Sequence, residues 1–330
     1  LILTLGLIFV QPVLALTISP VRIEIKGDPG QTLRGEIELF NEQDETKTFY
    51  SSSQNFEARG ESGAPYFLPE TNKGLASWVT VQDSVVLKAD ERKAIPFTIQ
   101  IPQGVEAGGY FAAIFWGTSP SQPQGGGQQV SVSGKLGMLV LLSVTGELKE
   151  GGGLLDLKIE DGRIVSSFPI TFAYRFSNDG SERVKPTGEL KVKNLFGFTA
   201  VALDANRQNG NVLPGSIRKF EVVWVEKGQE KSEDVQLPTQ TEETEKGQGF
   251  FFAVKNQWSN FALGPYNAKL DITYGKDNKT AEVSYRFFVI PWQLLSIIFV
   301  ILGIVGFLGM IGLKRYNRWI IKKAQVGKFQ

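Results

Sequence analysis

The sequence predicts an all-β fold: two β-sandwiches in tandem, followed by one membrane-spanning α-helix. Three observations carry that prediction. Short runs of alternating apolar and polar residues, punctuated by Gly, Pro, Asn and Asp, fill most of residues 16 to 290. An uncharged apolar run, PWQLLSIIFVILGIVGFLGMIGL, occupies residues 291–313. The chain has 330 residues, enough for two domains, and its 42% hydrophobic content can fill their cores.

The elements follow in order. LILTLGLIFVQPVLA (1–15) has the length of a signal-peptide core, and Val13-Leu14-Ala15 supplies small residues for cleavage. It has no initiator Met and no basic start, so the front reads as truncated. Residues 16–147 form the first expected sandwich. LTISPVRIEIKG alternates and stops at Asp28-Pro29-Gly30; TLRGEIELFN, TKTFYSSSQNF, VVLKA, KAIPFTIQIP, YFAAIFWG and VSVSGKLGMLVLLSVTGE follow. SPSQPQGGGQQ (119–129) reads as a flexible loop. GELKEGGG supplies a linker at 148–153. The second sandwich is expected at 154–290, from LLDLKIEDGRIV, FPITFAYRFSND, TGELKVKNL, ALDANRQNG, RKFEVVWVEKG, FFFAVKNQW, YNAKLDITYG and AEVSYRFFVIPW. Within it, residues 227–249 are polar, acidic and poor in large apolar groups, which predicts a mobile insert.

The run 291–313 is long enough to cross a hydrocarbon core of ~30 Å. Trp292 suits the interface, and the residues after Leu313 suit the cytoplasmic side. Six of the 35 basic residues fall in that tail, 314–330, which has no acidic residue. The remaining 29 face all 34 acidic residues, a net of −5. The expected placement is a single-pass protein of the cell membrane, with its amino-terminal domains outside and its tail in the cytoplasm. A mildly acidic body argues against nucleic acid as a partner.

The chain has no Cys and no His. Disulfides, thiolate chemistry, His-based triads and His or Cys metal sites are therefore excluded, and no cofactor is expected. Carboxylate chemistry survives that filter. Glu57, Glu61 and Glu70 lie near one loop, and Asp156, Glu160 and Asp161 lie in the second body. A glycan hydrolase needs two carboxyls about 5–10 Å apart with one pKa raised. Nothing in the spacing supplies that, so the chain is not read as an enzyme. Asp277-Asn278-Lys279 reads as a hairpin turn without calcium-ligand spacing.

One junction occurs twice. Ala107-Gly108-Gly109-Tyr110-Phe111-Ala112 echoes Leu263-Gly264-Pro265-Tyr266-Asn267-Ala268. Each follows a loop and opens a strand. In immunoglobulin-like sandwiches a Tyr at the start of a late strand bonds back to upstream backbone. Gly109, Tyr110, Pro265 and Tyr266 are therefore read as structural corners of two immunoglobulin-like domains.

The first body resembles the peptidoglycan-binding domain of the WxL-interacting proteins of Gram-positive cell walls. The resemblance runs through Ile18-Ser19-Pro20, Val21-Arg22-Ile23, Pro29-Gly30-Gln31, TLRGEIELFN, Trp78-Val79, LKADERKAIPFTIQIP, Gly108-Gly109-Tyr110-Phe111-Ala112-Ala113-Ile114 and GKLGMLVLLSVTG. It covers about residues 17–147 and implies a wall-binding first domain and a protein-binding second one. The candidate partners are thus peptidoglycan or another wall polymer, or an envelope protein, with membrane lipid along 291–313. Sugar faces stack on aromatic rings. Tyr66 and Phe67, in the Gly- and Pro-rich ESGAPYFLPETNKG, and Trp116, beside the Gln/Gly loop, are the candidate ligand contacts. Trp78, Phe111 and Phe115 are expected in the core. The rival readings are a scaffold subunit of an envelope secretion or adhesion complex, and a glycan-active enzyme.

Overall fold

Alternation becomes strand pairing in the computed structural model, which describes residues 16–69, 73–119, 134–225 and 249–326. The expected signal segment, most of the 119–129 loop, nearly all of the acidic insert and the last four tail residues lie outside the described residues. The chain is mostly β, with one apolar carboxyl-terminal helix. Its contacts divide it into two units. One runs to Gly153 and takes in Phe176–Lys185 and Asn209–Lys219; the other comprises Leu154–Arg175, Pro186–Gln208 and Phe220–Gln330.

The first body contains ten described strands: β1 (Thr17–Ser19), β2 (Arg22–Gly27), β3 (Thr32–Phe40), β4 (Lys47–Ala58), β5 (Pro65–Phe67), β6 (Val79–Val81), β7 (Ser84–Leu87), β8 (Arg92–Gln100), β9 (Gly108–Gly117) and β10 (Lys135–Val144). One sheet has the order β1-β3-β8-β6, and the other β2-β10-β9-β4-β5, with β7 also on β4. The first strand is shared between the sheets. β1 pairs antiparallel with β3, and β2 then pairs parallel with β10, Arg22 opposite Leu139. Between the sheets lie Ile37, Leu39, Phe49, Leu87, Ile95, Ile99, Ile114, Trp116, Met138, Val140 and Leu142. Each large side chain so buried contributes about 1.5–3 kcal/mol. Gly35 stands opposite Phe97, whose ring fills the space a Cβ would need, so the missing side chain is replaced across the ladder.

The second body repeats this plan with β11 (Gly153–Ile159), β12 (Ile164–Val165), β13 (Ile170–Asn178), β14 (Thr187–Asn194), β15 (Thr199–Asp204), β16 (Ser216–Trp224), β17 (Gly264–Tyr274) and β18 (Lys279–Val289). Its sheets run β11-β13-β16 and β12-β18-β17-β14-β15. Again the opening strand is shared, and β12 lies parallel to β18. Tyr174 is fully buried, stacks on Phe220 at 4.9 Å and donates its hydroxyl to the Ala205 carbonyl.

A second repeat, absent from the sequence reading, is a buried asparagine. Asn41 follows β3, and its Nδ2 donates to the carbonyls of Glu45 (2.9 Å) and Lys88 (2.9 Å). Asn178 ends β13, and its Nδ2 donates to the carbonyls of Glu182 and Val212, both at 2.8 Å. In each case the Oδ1 accepts an N–H two residues on, from Gln43 and Gly180. Both side chains are fully buried with amide nitrogen and oxygen both hydrogen-bonded, the condition under which an amide is tolerated inside.

One expectation is corrected and one element is extended. FFFAVKNQW, read as a strand, is helix α1 (Phe250–Ser259). A short apolar run has no period that separates helix from strand, and here Gln257 settles the matter by anchoring one helical face. The apolar run 291–313 is the start of a longer helix, α2 (Trp292–Val326), because the basic residues after Leu313 are good helix formers without Pro or Gly before Gly327.

Candidate functional site

β9 has two apolar faces, and their separation defines the site. Tyr110, Ala112, Ile114 and Trp116 point between the sheets; Phe111, Ala113 and Phe115 point outward. Opposite pairs on β4 and β5 bring Phe56 and Phe67 to the same outer face. Ring centroids are 5.9 Å apart for Phe56–Phe111, 6.0 Å for Phe56–Phe67 and 4.9 Å for Phe67–Phe115. The two Phe67 contacts are edge-to-face, the arrangement the ring quadrupole favours. Gly137 stands opposite Phe115 on β10, and a Cβ there would fall 2.7 Å from the ring, so the ring lies down on β10 only because the residue is glycine.

Beside this row of rings lies an open groove of about 620 Å³, lined by Val21, Arg22, Phe67, Phe115, Gly137 and Leu139. Arg22 is the single charged side chain in the lining, and its Nε is 3.5 Å from Glu24 of the same strand. Val21, at the mouth, is 71% exposed. Four apolar walls with one cation at the rim accept an apolar segment bearing an acidic or carbonyl group.

The residues expected at the site are parted by strand alternation. Tyr66 and Phe67 are neighbours on β5 and therefore face opposite ways. Phe67 joins the ring row. Tyr66 is 37% exposed, with the guanidinium carbon of Arg59 3.4 Å from its ring centre. That cation covers one face of the ring. The segment read as a loop is thus a short strand carried by β4. Trp116, the third candidate, is fully buried in the core, and its place in the inward phase of β9 keeps it from ligand. Phe111 and Phe115 are corrected in the opposite sense, from core to outer face. Phe56, Val21 and Leu139 were not foreseen. The available signal was the phase of β9, where aromatics at both odd and even positions require two apolar faces.

No family model and no curated protein matches the chain. Among solved structures it is similar to the class 5 fimbriae chaperone CfaA, with 11% identity and a TM-score of 0.38 over 84% of this chain and 99% of that one. It is also similar to the CsuC–CsuE chaperone–tip adhesion subunit complex from Acinetobacter baumannii, with 12% identity and a TM-score of 0.32 over 63% of this chain and 90% of that one. A third is the PapD-like domain 7 of human CEP192, with 15% identity and a TM-score of 0.28 over 44% of this chain and 98% of that one. All three scores lie below 0.5, and they carry no argument about what this chain binds.

The two Gly-x-Tyr junctions sit at matching places, the openings of β9 and β17. Tyr110 donates its hydroxyl to the Glu106 carbonyl at 3.0 Å and packs its ring 4.7 Å from Trp78. Tyr266 packs against Phe287 and Trp224. Burial raises both phenols above the ordinary tyrosine value. Glu106 adds to the rise at Tyr110, and a backbone hydrogen bond at Leu263 opposes it at Tyr266. The positive φ falls on Gly108 (+152°) and Gly264 (+105°), one residue before Gly109 and Pro265. Gly109 serves a different need: a Cβ there would strike the Phe111 ring at 2.6 Å.

Of the carboxylates weighed for catalysis, Asp156 is held by Arg175 through a forked pair, Nε–Oδ1 at 3.1 Å and Nη2–Oδ2 at 2.8 Å. That hydrogen bond outweighs burial and lowers its pKa, the reverse of what a general acid requires. Glu70 lies outside the described residues. Among the described residues no group of three His, Cys, Asp or Glu is placed to hold a metal.

Proposed function

We propose that this chain is a membrane-anchored binding protein of a cell envelope, whose first body holds an apolar segment of a partner protein on its outer β2-β10-β9-β4-β5 face. The groove beside the phenylalanine row supports this reading. Its walls are apolar, its one charged lining residue is Arg22, and Tyr66, the exposed ring best suited to a sugar, already carries Arg59 on one face. The buried centre of a protein–protein interface is apolar and depleted of charge, with polar groups at its rim. The reading takes up the scaffold alternative in place of wall-polymer binding. The anchor is α2, whose stretch Trp292–Ile320 contains an 18-residue window of mean hydropathy 2.9 that is 6% buried.

The test uses the full chain carrying a photo-crosslinker at Val21→Cys, with Lys276→Cys as the control site. The expected result is one stoichiometric protein adduct from position 21 alone, with Leu139→Asp weakening the complex about tenfold or more, because it places an unpaired charge in the groove. Co-sedimentation of the full chain with purified peptidoglycan, lost on Tyr66→Ala and kept in Leu139→Asp, would overturn the proposal and restore the wall-polymer reading.

A further inference from the structure

The second body is asymmetric along its strands. Register places Asn194 of β14 opposite Tyr266, and Gly264 of β17 opposite Val289 of β18. The β14–β15 turn, the start of β17 and the end of β18 therefore share one end of the five-stranded sheet. From that end, through Ile290 and Pro291, the chain enters α2.

This end is apolar and exposed. Phe196 and Phe198 stand 79% and 71% exposed on the β14–β15 turn. The turn is built, not loose: Asn194 Oδ1 accepts the N–H groups of Phe196 (3.1 Å) and Phe198 (3.0 Å), and the Gly197 N–H donates to the Asn194 carbonyl. Helix α1 adds Phe251 and Trp258, 79% and 70% exposed. Lys255 is the one charged residue of α1, and its long stem can carry that charge to water. The helix is fixed to the first turn of α2. Gln257 is 3% exposed; its Oε1 accepts the Leu294 N–H at 2.9 Å, its Nε2 donates to the Ser166 carbonyl at 3.0 Å and to Gln293 Oε1, and Phe250 packs on Trp292. The opposite end of the sheet is the turn Gly-Lys-Asp-Asn at 275–278, polar and exposed. Strands of eleven residues put the two ends about 35 Å apart.

We propose that the turn bearing Phe196 and Phe198, together with α1, lies in the headgroup and upper acyl layer of the bilayer that α2 spans. This rests on the membrane-anchor reading of α2. Continuity decides the occupant: the exposed aromatics collect at the end where the apolar span begins, and α1 is clamped to its first turn. Aromatic side chains favour that layer, and interfacial helices sit about 5–10 Å deep in it. The second body then stands on the membrane by two shallow feet beside its anchor.

The chain has no native Cys, so single-cysteine variants report one site each. The full chain is reconstituted in phosphatidylcholine–phosphatidylglycerol vesicles with a spin label at Phe196→Cys, Phe251→Cys, Lys276→Cys or Leu302→Cys. Relaxation by oxygen and by a water-soluble paramagnet gives the depth of each label. Expected are hydrocarbon depth at 302, water at 276, and headgroup depth at 196 and 251 with water-side relaxation several-fold below that at 276. Labels at 196 and 251 as wet as 276, with 302 in hydrocarbon, would overturn the proposal and leave the span intact. Labels there shielded from both agents would assign the surface to protein contact and overturn it equally. A wet label at 302 would overturn the anchor itself.

Discussion

At residue scale, Asn41 bonds four backbone groups from within the core, the carbonyls of Glu45, Leu87 and Lys88 and the N–H of Gln43. Asn41→Leu keeps the volume and strands the carbonyls of Glu45 and Lys88 and the N–H of Gln43. Each buried polar group so abandoned costs about 1–3 kcal/mol, and partial rehydration at Glu45 keeps the expected loss near ~3 kcal/mol. Urea unfolding followed by Trp fluorescence measures it. Tyr110→Phe removes one hydroxyl donor and leaves the Trp78 contact, so a loss of only ~0.5–1.5 kcal/mol is expected in the same titration. Because the Tyr110 phenol is raised in the folded state, its contribution is fully present below the ordinary tyrosine pKa and is lost as pH rises through the raised value. The Phe variant should flatten that alkaline slope. Asp156 gives the opposite sign. Its lowered carboxyl stabilises above the ordinary aspartate value and ceases to do so as pH falls through the depressed one. About a third of each side chain is exposed, so Asp156→Asn should cost under ~1 kcal/mol and erase part of the acid-side slope.

At the scale of elements, strand period was readable and strand phase was only half readable. Alternation located most of the described strands of both bodies, though β5 was read as loop, β6 went unread and α1 was read as a strand, and the matched Tyr junctions fell at matched strand openings. What the alternation of β9 could not show is which aromatic set faced the core, since both sets are apolar. Trp116 and Phe115 exchanged their expected places for that reason. Likewise Tyr66 and Phe67 were paired by adjacency, whereas adjacency in a strand separates. The buried asparagines were legible in principle as Asn41 with Glu45 and Asn178 with Glu182, a shared spacing of four, but an Asn in a turn ordinarily reads as solvent-facing. The glycine under Phe115 offers a test at this scale. Gly137→Ala pushes the ring off β10, with an expected cost of ~1–3 kcal/mol and a displaced Phe67. Ring-current shifts of the Phe67 and Phe115 protons would report the movement.

For the whole molecule, composition excluded more than it identified. The lack of Cys and His removed several chemistries outright, and the 23-residue apolar run marked one end of the chain. The proposed binding surface was hidden because it consists of residues that any core would also use: Phe, Leu and Val on a sheet face. Only the placement of a second sheet on the other side distinguishes them.

The junction of β18 with α2 has a mechanical consequence. Ile290 and Pro291 alone separate the strand from the helix, so tension carried by α2 enters β18 along its own axis. The ladder to β17 holds eleven register pairs whose hydrogen bonds lie across that axis, and they share the load instead of parting one by one. On the proposed anchor reading, a pull on α2 would therefore load the whole β17–β18 ladder in shear.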